Sequence, residues 1–156
     1  MNEKKLIEYI DQRKIVLSVC LKDRGSKLQL LNISNHEVSI SPKRALLISV
    51  STITISRPRE ELLKKLKEIE KRRIDYMISV PIKDLWELTY KDSSSLTYNE
   101  LTKLSFGDNI TDDHISALVR ALFADKAYFK MKDNCFIPNS PEKIEQIKNA
   151  REAAEL

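Results

Sequence analysis

The sequence predicts an α+β chain in which a small SH3-like β-barrel is followed by a winged helix-turn-helix domain and a C-terminal helix. Short apolar stretches alternate with turn residues over the first 55 positions, which is typical of strands. A charged helical segment follows Pro58. The order helix, turn, helix, hairpin then occupies residues 96–137. We therefore expect a barrel over 1–57, a connecting helix over 58–80, a winged helix over 81–139 and a final helix over 140–156.

The barrel is predicted from five short segments that are rich in β-branched residues. They are Leu6 to Ile10, Ile15 to Leu21, Lys27 to Ile33, Glu37 to Ile40 and Ala45 to Ile55. Turn residues separate them, and Pro42 interrupts the chain before the last segment. Because five strands of this length bury little surface as an open sheet, we expect them to close into a small barrel.

The connecting helix is predicted from Arg59 to about Tyr76. Leu62, Leu66 and Ile69 fall on one stripe, and several glutamates stand four residues before a lysine or arginine. This pattern favours a solvated helix carrying ion pairs over a ridge of phosphate-binding lysines. Arg72 and Arg73 at the end of the helix are the best exceptions.

The winged helix is predicted from its capping and turn residues. Thr97 and Glu100 have the spacing of a capping box, and Gly107 provides a stop with positive φ. Thr111 begins the next helix. An apolar face follows there, made of Ile115, Leu118, Val119, Leu122 and Phe123. A short hairpin ends at Pro138. An earlier helix is expected over 82–90, and Ser140 begins a final one.

Charge is distributed unevenly along the chain, whose net formal charge is +4. Residues 1–80 carry 17 Lys or Arg against 10 Asp or Glu, whereas residues 81–156 carry 10 against 13. If the chain binds nucleic acid, its first half should supply most of the electrostatic attraction. The candidate nucleic-acid-binding residues are Lys22, Arg24 and Lys27 at a hairpin turn, Lys43 and Arg44 beside Pro42, Arg57 and Arg59 at the junction, Arg72 and Arg73 at the helix end, and Arg120, Lys126, Tyr128, Lys130 and Lys132 in the winged helix.

Aromatic residues are few in the predicted barrel, where Tyr9 is the sole one. Trp86, Phe106 and Phe123 have core-like spacing. Tyr128 and Phe129 alternate on the hairpin, so we expect one to face the core and the other to be free to stack on a base.

Several catalytic classes are disfavoured by the residues. Two glycines are too few for a phosphate-cradling loop. Cys20 and Cys135 are interpreted as buried free thiols. Asp112 and Asp113 could suggest a metal site beside His114, but their place at a helix start is explained by the helix dipole. We expect His36 and His114 to be solvated surface residues. We therefore expect no catalytic or metal site in this chain, and no membrane span, since no apolar run approaches ~20 residues.

A family resemblance joins several of these motifs. The chain resembles the N-terminal region of bacterial ribonuclease II-type exoribonucleases, the family with the RNB catalytic domain. The likeness is carried by Glu37-Val38 through Pro42-Lys43-Arg44, by Asp84 to Leu88, and by Glu100-Leu101 with Phe106-Gly107. It is strongest from Asp112-Asp113-His114 through Ala117 to Leu122, and on to Asp125, Tyr128 to Lys130 and Phe136 to Pro138. It implies an accessory region that guides single-stranded RNA, with the RNB domain as partner and Mg²⁺ held only there, beyond Leu156. The uncapped final helix agrees with a chain that continues, and the expected location is cytoplasmic.

Two alternatives stay open. The winged helix and last helix could form a protein-interaction or scaffold module in which RNA contact is incidental. A free-standing winged-helix DNA-binding regulator is a weaker alternative, because two acids open the helix that would enter the major groove.

Overall fold

A computed structural model describes residues 1–92 and 94–155 of the chain. The chain divides into two compact units, Met1–Ile74 and Asp75–Leu156. Unit 1 contains a five-stranded antiparallel sheet, and unit 2 contains four helices and a three-stranded sheet. The predicted mixed α+β class is confirmed. The boundary between the units falls within a continuous helix, α1 (Arg59–Ile78).

The sheet of unit 1 contains every strand predicted from the sequence. The strands are β1 (Lys5–Asp11), β2 (Lys14–Asp23), β3 (Leu28–Asn32), β4 (Glu37–Ile40) and β5 (Ala45–Thr52). Their spatial order is β4-β3-β2-β1-β5, with every neighbouring pair antiparallel. Pro42 begins a single 3₁₀ turn, Pro42–Arg44, immediately before β5.

Both faces of this sheet are covered by apolar side chains. One face carries a cluster of six residues: Ile7, Tyr9, Cys20, Leu28, Leu30 and Ile40. The other face packs against the predicted stripe of α1, namely Leu62, Leu66 and Ile69. Full burial of one leucine side chain stabilises a fold by about 1.5–3 kcal/mol. α1 therefore covers the sheet along this stripe, while most of its other positions between residues 59 and 72 are exposed, as expected of a solvated connecting helix.

Closure of the sheet into a barrel is not observed. In the part of the chain that the structure describes, β4 and β5 form the two edges and do not pair with each other. Closure was expected because an open sheet of five short strands leaves a face to water. α1 buries one face of this open sheet, and the six-residue cluster is buried without pairing of the two edge strands.

Unit 2 follows the predicted order of helices with one added strand. Its elements are α2 (Ile82–Thr89), a 3₁₀ turn (Tyr90–Asp92), β6 (Leu96–Thr97), α3 (Tyr98–Phe106), α4 (Asp112–Asp125), β7 (Phe129–Lys132), β8 (Cys135–Pro138) and α5 (Pro141–Glu155). The sheet order is β6-β8-β7. β6 has two residues, which are too few to show a strand pattern in the sequence.

Side-chain caps set the helix ends in unit 2. Thr97 Oγ1 accepts a hydrogen bond from the Glu100 N–H at 3.1 Å, and α3 ends at Gly107, where φ is 91°. A complete capping box begins α4: Thr111 Oγ1 accepts from the His114 N–H, while His114 Nδ1 accepts from the Thr111 N–H at 3.0 Å. Ser140 Oγ accepts from the Lys143 N–H at the start of α5.

The β7–β8 hairpin is closed by two residues with positive φ, Asp133 at 50° and Asn134 at 64°. Two-residue turns of this kind match the right-handed twist of the strands they join. Both cysteines are free thiols: Cys20 is buried in β2 and Cys135 is half-buried in β8. No helix in the described residues is both long and apolar enough to cross a membrane.

Candidate nucleic-acid interface

Unit 1 carries the basic surface of the chain. Residues 1–74 contain 17 Lys or Arg against 9 Asp or Glu, a formal charge of +8. Seven of the predicted ligands are exposed at three places, the β2–β3 turn, the 3₁₀ turn and the segment that begins α1. They are Lys22, Arg24, Lys27, Lys43, Arg44, Arg57 and Arg59.

The β2–β3 turn is held by its own hydrogen bonds. Asp23 Oδ1 accepts from the Gly25 N–H at 2.9 Å, and the Arg24 N–H donates to the Lys27 carbonyl at 2.9 Å. The bond from Gly25, followed by bonds from Asn2, holds the pKa of Asp23 below its ordinary value. Asp23 is therefore a negative charge fixed within the turn while Arg24 and Lys27 remain exposed.

Strand register brings two of the three basic places to the same end of the sheet. Leu28 at the start of β3 pairs with Ile40 at the end of β4. The β2–β3 turn, which precedes Leu28, and the 3₁₀ turn that carries Lys43 and Arg44, which follows Ile40, therefore lie at the same end of the sheet. Phosphate groups of a nucleic acid need such a cluster of exposed cations rather than a fixed side-chain geometry.

Arg59 differs from these residues because it has an acidic neighbour. Its Nη2 lies 3.2 Å from Glu37 Oε2, and both side chains are about half exposed. Exposed pairs of this kind contribute about 0–1 kcal/mol, so the contact is weak and open to exchange with a phosphate. Arg72, in α1, is also exposed.

Arg73 does not belong to the interface, and its prediction as a ligand is corrected. The side chain is buried, and its Nη1 donates to Glu8 Oε1 at 2.6 Å, with Glu8 equally buried on β1. Arg73 lies four positions after Ile69, so it continues the stripe by which α1 covers the sheet. Its guanidinium binds within the fold rather than to an external ligand.

Arg120 requires the same correction. It lies within a run of seven buried residues in α4, from Ser116 to Leu122, and its Nε donates to Ser116 Oγ at 3.2 Å. The sequence of α4 contains no other lysine or arginine. α4 therefore presents no exposed lysine or arginine.

Aromatic side chains of unit 1 are not exposed. Tyr9 is its sole aromatic residue, and it is buried, with its hydroxyl accepting from Asn32 Nδ2 at 3.1 Å. Any stacking on bases would therefore have to come from unit 2.

In unit 2 the predicted residues fall on the hairpin and just before it. Lys126, Lys130 and Lys132 are exposed. Phe129 is buried, as the alternation predicts for one of the two hairpin aromatics. Tyr128 is half-buried and already engaged: Lys148 donates to its hydroxyl at 2.8 Å and lies 4.9 Å from its ring centroid.

A cavity that the sequence analysis missed lies between α4, the hairpin and α5. It has a volume of about 300 Å³ and is lined by Phe123, Lys126, Lys130, Lys143 and several apolar side chains. The spacing of Phe123 predicts a core residue, and Lys143 belongs to no motif in the sequence. The spacing of Lys143 and Ile147 marks one face of α5, but which surface that face meets depends on the tertiary fold.

His114 is also more than the solvated residue that was predicted. Besides capping α4, its ring lies 4.6 Å from that of Tyr76 and 4.7 Å from that of Phe106. His36 is exposed. Within the described residues no group of three or more His, Cys, Asp or Glu side chains could hold a metal ion, and Asp112 and Asp113 stand in the first turn of α4.

Comparison of the chain with protein-family models, with curated proteins and with solved structures gave no match.

Proposed function

We propose that the chain is an RNA-binding accessory region of a ribonuclease II-type exoribonuclease and guides single-stranded RNA to a separate nuclease domain. The observation that carries this proposal is the separation of charge, +8 in unit 1 against −4 in unit 2. Exposed cations at the β2–β3 turn and the 3₁₀ turn suit a phosphate backbone. A cytoplasmic location, and Mg²⁺ held in the nuclease domain alone, belong to the same proposal.

The finer fold assignments are part of the proposal. The order β4-β3-β2-β1-β5, with a 3₁₀ turn before β5, agrees with a partly open SH3-like arrangement. In unit 2 the order α2, β6, α3, α4, β7, β8, with β8 between the other two strands, agrees with a winged helix. Both are small folds that serve as nucleic-acid-binding or protein-binding modules.

Single-stranded RNA is favoured over sequence-specific duplex DNA. A DNA-reading helix needs exposed side chains that reach base edges and phosphates. In α4, Arg120 is buried, and Asp112 and Asp113 occupy the first turn, where they would repel a phosphate backbone.

A protein-docking role is the second candidate function. It is favoured by exposed large apolar side chains in unit 2, chiefly Ile78, Leu88 and Leu104. Scattered apolar residues are common on protein surfaces, so this observation weighs less than the charge separation.

The test is RNA affinity across a salt series for the wild type and for K43E/R44E. A labelled single-stranded RNA of twelve nucleotides is the probe, with duplex DNA of the same length beside it. For single strands, the slope of log affinity against log salt is about −0.7 for each phosphate contact, so loss of two contacts should reduce the slope by about 1.4. The matched control is K91E/K103E, which makes the same change of charge at exposed lysines of unit 2.

Loss of affinity in K43E/R44E alone supports the proposal. Equal losses in both double variants would indicate a response to net charge only. A wild type that binds no RNA at low salt would refute the proposal and leave docking to a protein as the better account.

A further inference from the structure

We propose that the cavity between α4, the β7–β8 hairpin and α5 binds one nucleotide of single-stranded RNA, with the base inside and a phosphate held by Lys126, Lys130 and Lys143. This inference rests on the proposed RNA-binding function and adds a site within unit 2. We call this cavity the lysine-rimmed pocket; the rest of its lining is chiefly apolar.

The charges around the lysine-rimmed pocket are all of one sign. Three of its lining residues are lysines, and no acidic residue is found among the described residues that line it. This is notable because unit 2 as a whole contains 10 Lys or Arg against 14 Asp or Glu. The pocket is thus a locally basic place on an acidic unit, which favours an anionic ligand.

The interior of the pocket suits a flat aromatic group. Phe123 is half-buried at the pocket, and the Lys126 ammonium lies 5.0 Å from its ring centroid. Met131 and Ile147 are also half-buried, while Phe129 and Phe136 form a buried aromatic wall. A base that stacks on Phe123 would replace Lys126 over the ring and leave that ammonium available to a phosphate.

The size of the pocket favours a nucleotide over a peptide. About 300 Å³ is at the lower end of the range of small-ligand sites, roughly 300–1,000 Å³. An amphipathic peptide helix needs a groove long enough for anchors over two turns. Unit 1 has no exposed aromatic residue, so this pocket supplies the base contact that its basic surface lacks.

A neighbouring cavity provides a contrast within the same unit. It is lined by Lys83, Trp86, Tyr128 and Lys148, but also by Glu145 and Glu152. Its aromatic groups are engaged, since Trp86 Nε1 donates to the Asn139 carbonyl and Trp86 stacks on Tyr90 with centroids 4.1 Å apart. Mixed charge and occupied rings make it the poorer site for a nucleotide.

The experiment has two arms, both with the full chain. In the first, adenosine 5′-monophosphate is titrated into labelled protein and amide shifts are followed by NMR, with the largest shifts expected around Phe123, Lys130 and Lys143. In the second, affinity for the twelve-nucleotide RNA is measured for F123L, for K130E/K143E and for the control K83E, whose lysine lines the neighbouring cavity.

We expect F123L to weaken RNA binding roughly 5- to 150-fold, the range for loss of one stacked base. An RNA of the same length whose nucleotides are abasic should bind F123L and the wild type equally, because only phosphates remain. K130E/K143E should weaken binding of both RNAs, whereas K83E should do so much less. Thermal unfolding of F123L shows whether this half-buried replacement leaves the fold intact. K130E/K143E changes exposed residues only, so it tests the site without disturbing the packing.

The outcomes separate this inference from the function on which it rests. If the wild type binds RNA but F123L and K130E/K143E bind as K83E does, the pocket is refuted and the function stands. If no RNA binds at low salt, the function fails and the inference with it. Shifts at the pocket caused by an acidic apolar peptide but not by the nucleotide would also overturn the inference, and would indicate a protein partner.

Discussion

The two units of this chain differ in how they use charged and aromatic residues. Unit 1 has a formal charge of +8 and one aromatic residue, which is buried. Unit 2 has a formal charge of −4 and the remaining nine aromatic residues, many of them in ring contact with one another. Most of the attraction for phosphate is thus expected from unit 1, and the surface for stacking from unit 2, where the lysine-rimmed pocket adds a local cluster of cations. Variants of the two units should therefore change the ionic and the aromatic components of RNA binding to different extents.

The units also differ in what stabilises them. Unit 1 buries a sheet on both faces and includes an ion pair between Arg73 and Glu8. Unit 2 buries apolar side chains of its own, such as Leu101 and Leu118, and adds helix caps and the ring contacts of His114. Changes to the ion pair should therefore cost more than changes to any single cap or ring.

The largest effect is expected for R73A in unit 1. Removing the guanidinium leaves the Glu8 carboxylate buried without its ion partner, which should lower the free energy of unfolding by about 3–5 kcal/mol. Urea denaturation measures it. The neighbouring exposed variant R72A should cost much less, and E8L/R73M should recover most of the loss. If R73A and R72A were equal, the pair would not stabilise unit 1.

A smaller loss is expected for G107A in unit 2. Gly107 has φ 91° and ψ −175°, a region that is nearly restricted to glycine, and a Cβ there would meet no atom within 4 Å. The cost is therefore backbone strain alone, about 1–3 kcal/mol. G25A, at the unit 1 turn with φ 80° and equally open space, is the matched comparison. Losses below 0.5 kcal/mol in the same urea assay would contradict the strain argument.

The replacement H114A should cost about 1–2 kcal/mol, because it removes one half of the capping box and two ring contacts. H114Q separates the two contributions, since glutamine at this position can complete a capping box but cannot replace the ring. Thermal and urea unfolding of both variants give the difference. His36 is exposed, so H36A should change stability little. An H114Q as stable as the wild type would mean that the ring contacts contribute nothing.

The smallest effect, and one of opposite sign, is expected for Y98F. The Tyr98 hydroxyl is buried, with no hydrogen-bond partner among the described residues, and desolvation raises the pKa of Tyr98 from 10.0 to about 12. Removing the hydroxyl should stabilise the fold by about 1 kcal/mol. Because the unfolded chain loses this proton first, the wild type should also lose stability between pH 10 and 12, a loss that Y98F escapes. A destabilised Y98F would indicate a missing partner for the hydroxyl.

Local sequence signals predicted most elements of the fold. The caps at Thr97, Thr111 and Ser140 and the Asp133-Asn134 turn act within a few residues of chain, so their effect can be read directly from the sequence. The sequence does not show which surface each apolar helix or sheet face packs against. The open sheet is an example: the apolar stripe of α1 is visible in the sequence, but its packing against the second face of the sheet is not.

The two misassigned arginines show different limits. One helical stripe of α1 contains Leu62, Leu66, Ile69 and Arg73. The spacing of Arg73 therefore predicts its burial as soon as the stripe is known to pack against the sheet. Arg120 gave no such signal, because α4 is buried over seven consecutive residues and its spacing therefore does not mark a face. The lysine-rimmed pocket could not be predicted for a third reason: its residues come from α4, the β7–β8 hairpin and α5, and residue spacing does not show how these elements pack on one another.

The two cysteines give each unit its own chemical reporter. Cys20 has no exposed surface within the unit 1 sheet, and burial raises the pKa of its thiol, so alkylation requires that the sheet open. Cys135 is half-buried in β8 of unit 2. Peptide-resolved alkylation rates would therefore follow the opening of both units in a single sample. The same rates measured for the wild-type protein with and without RNA would show whether bound RNA slows the opening of unit 1, of unit 2 or of both.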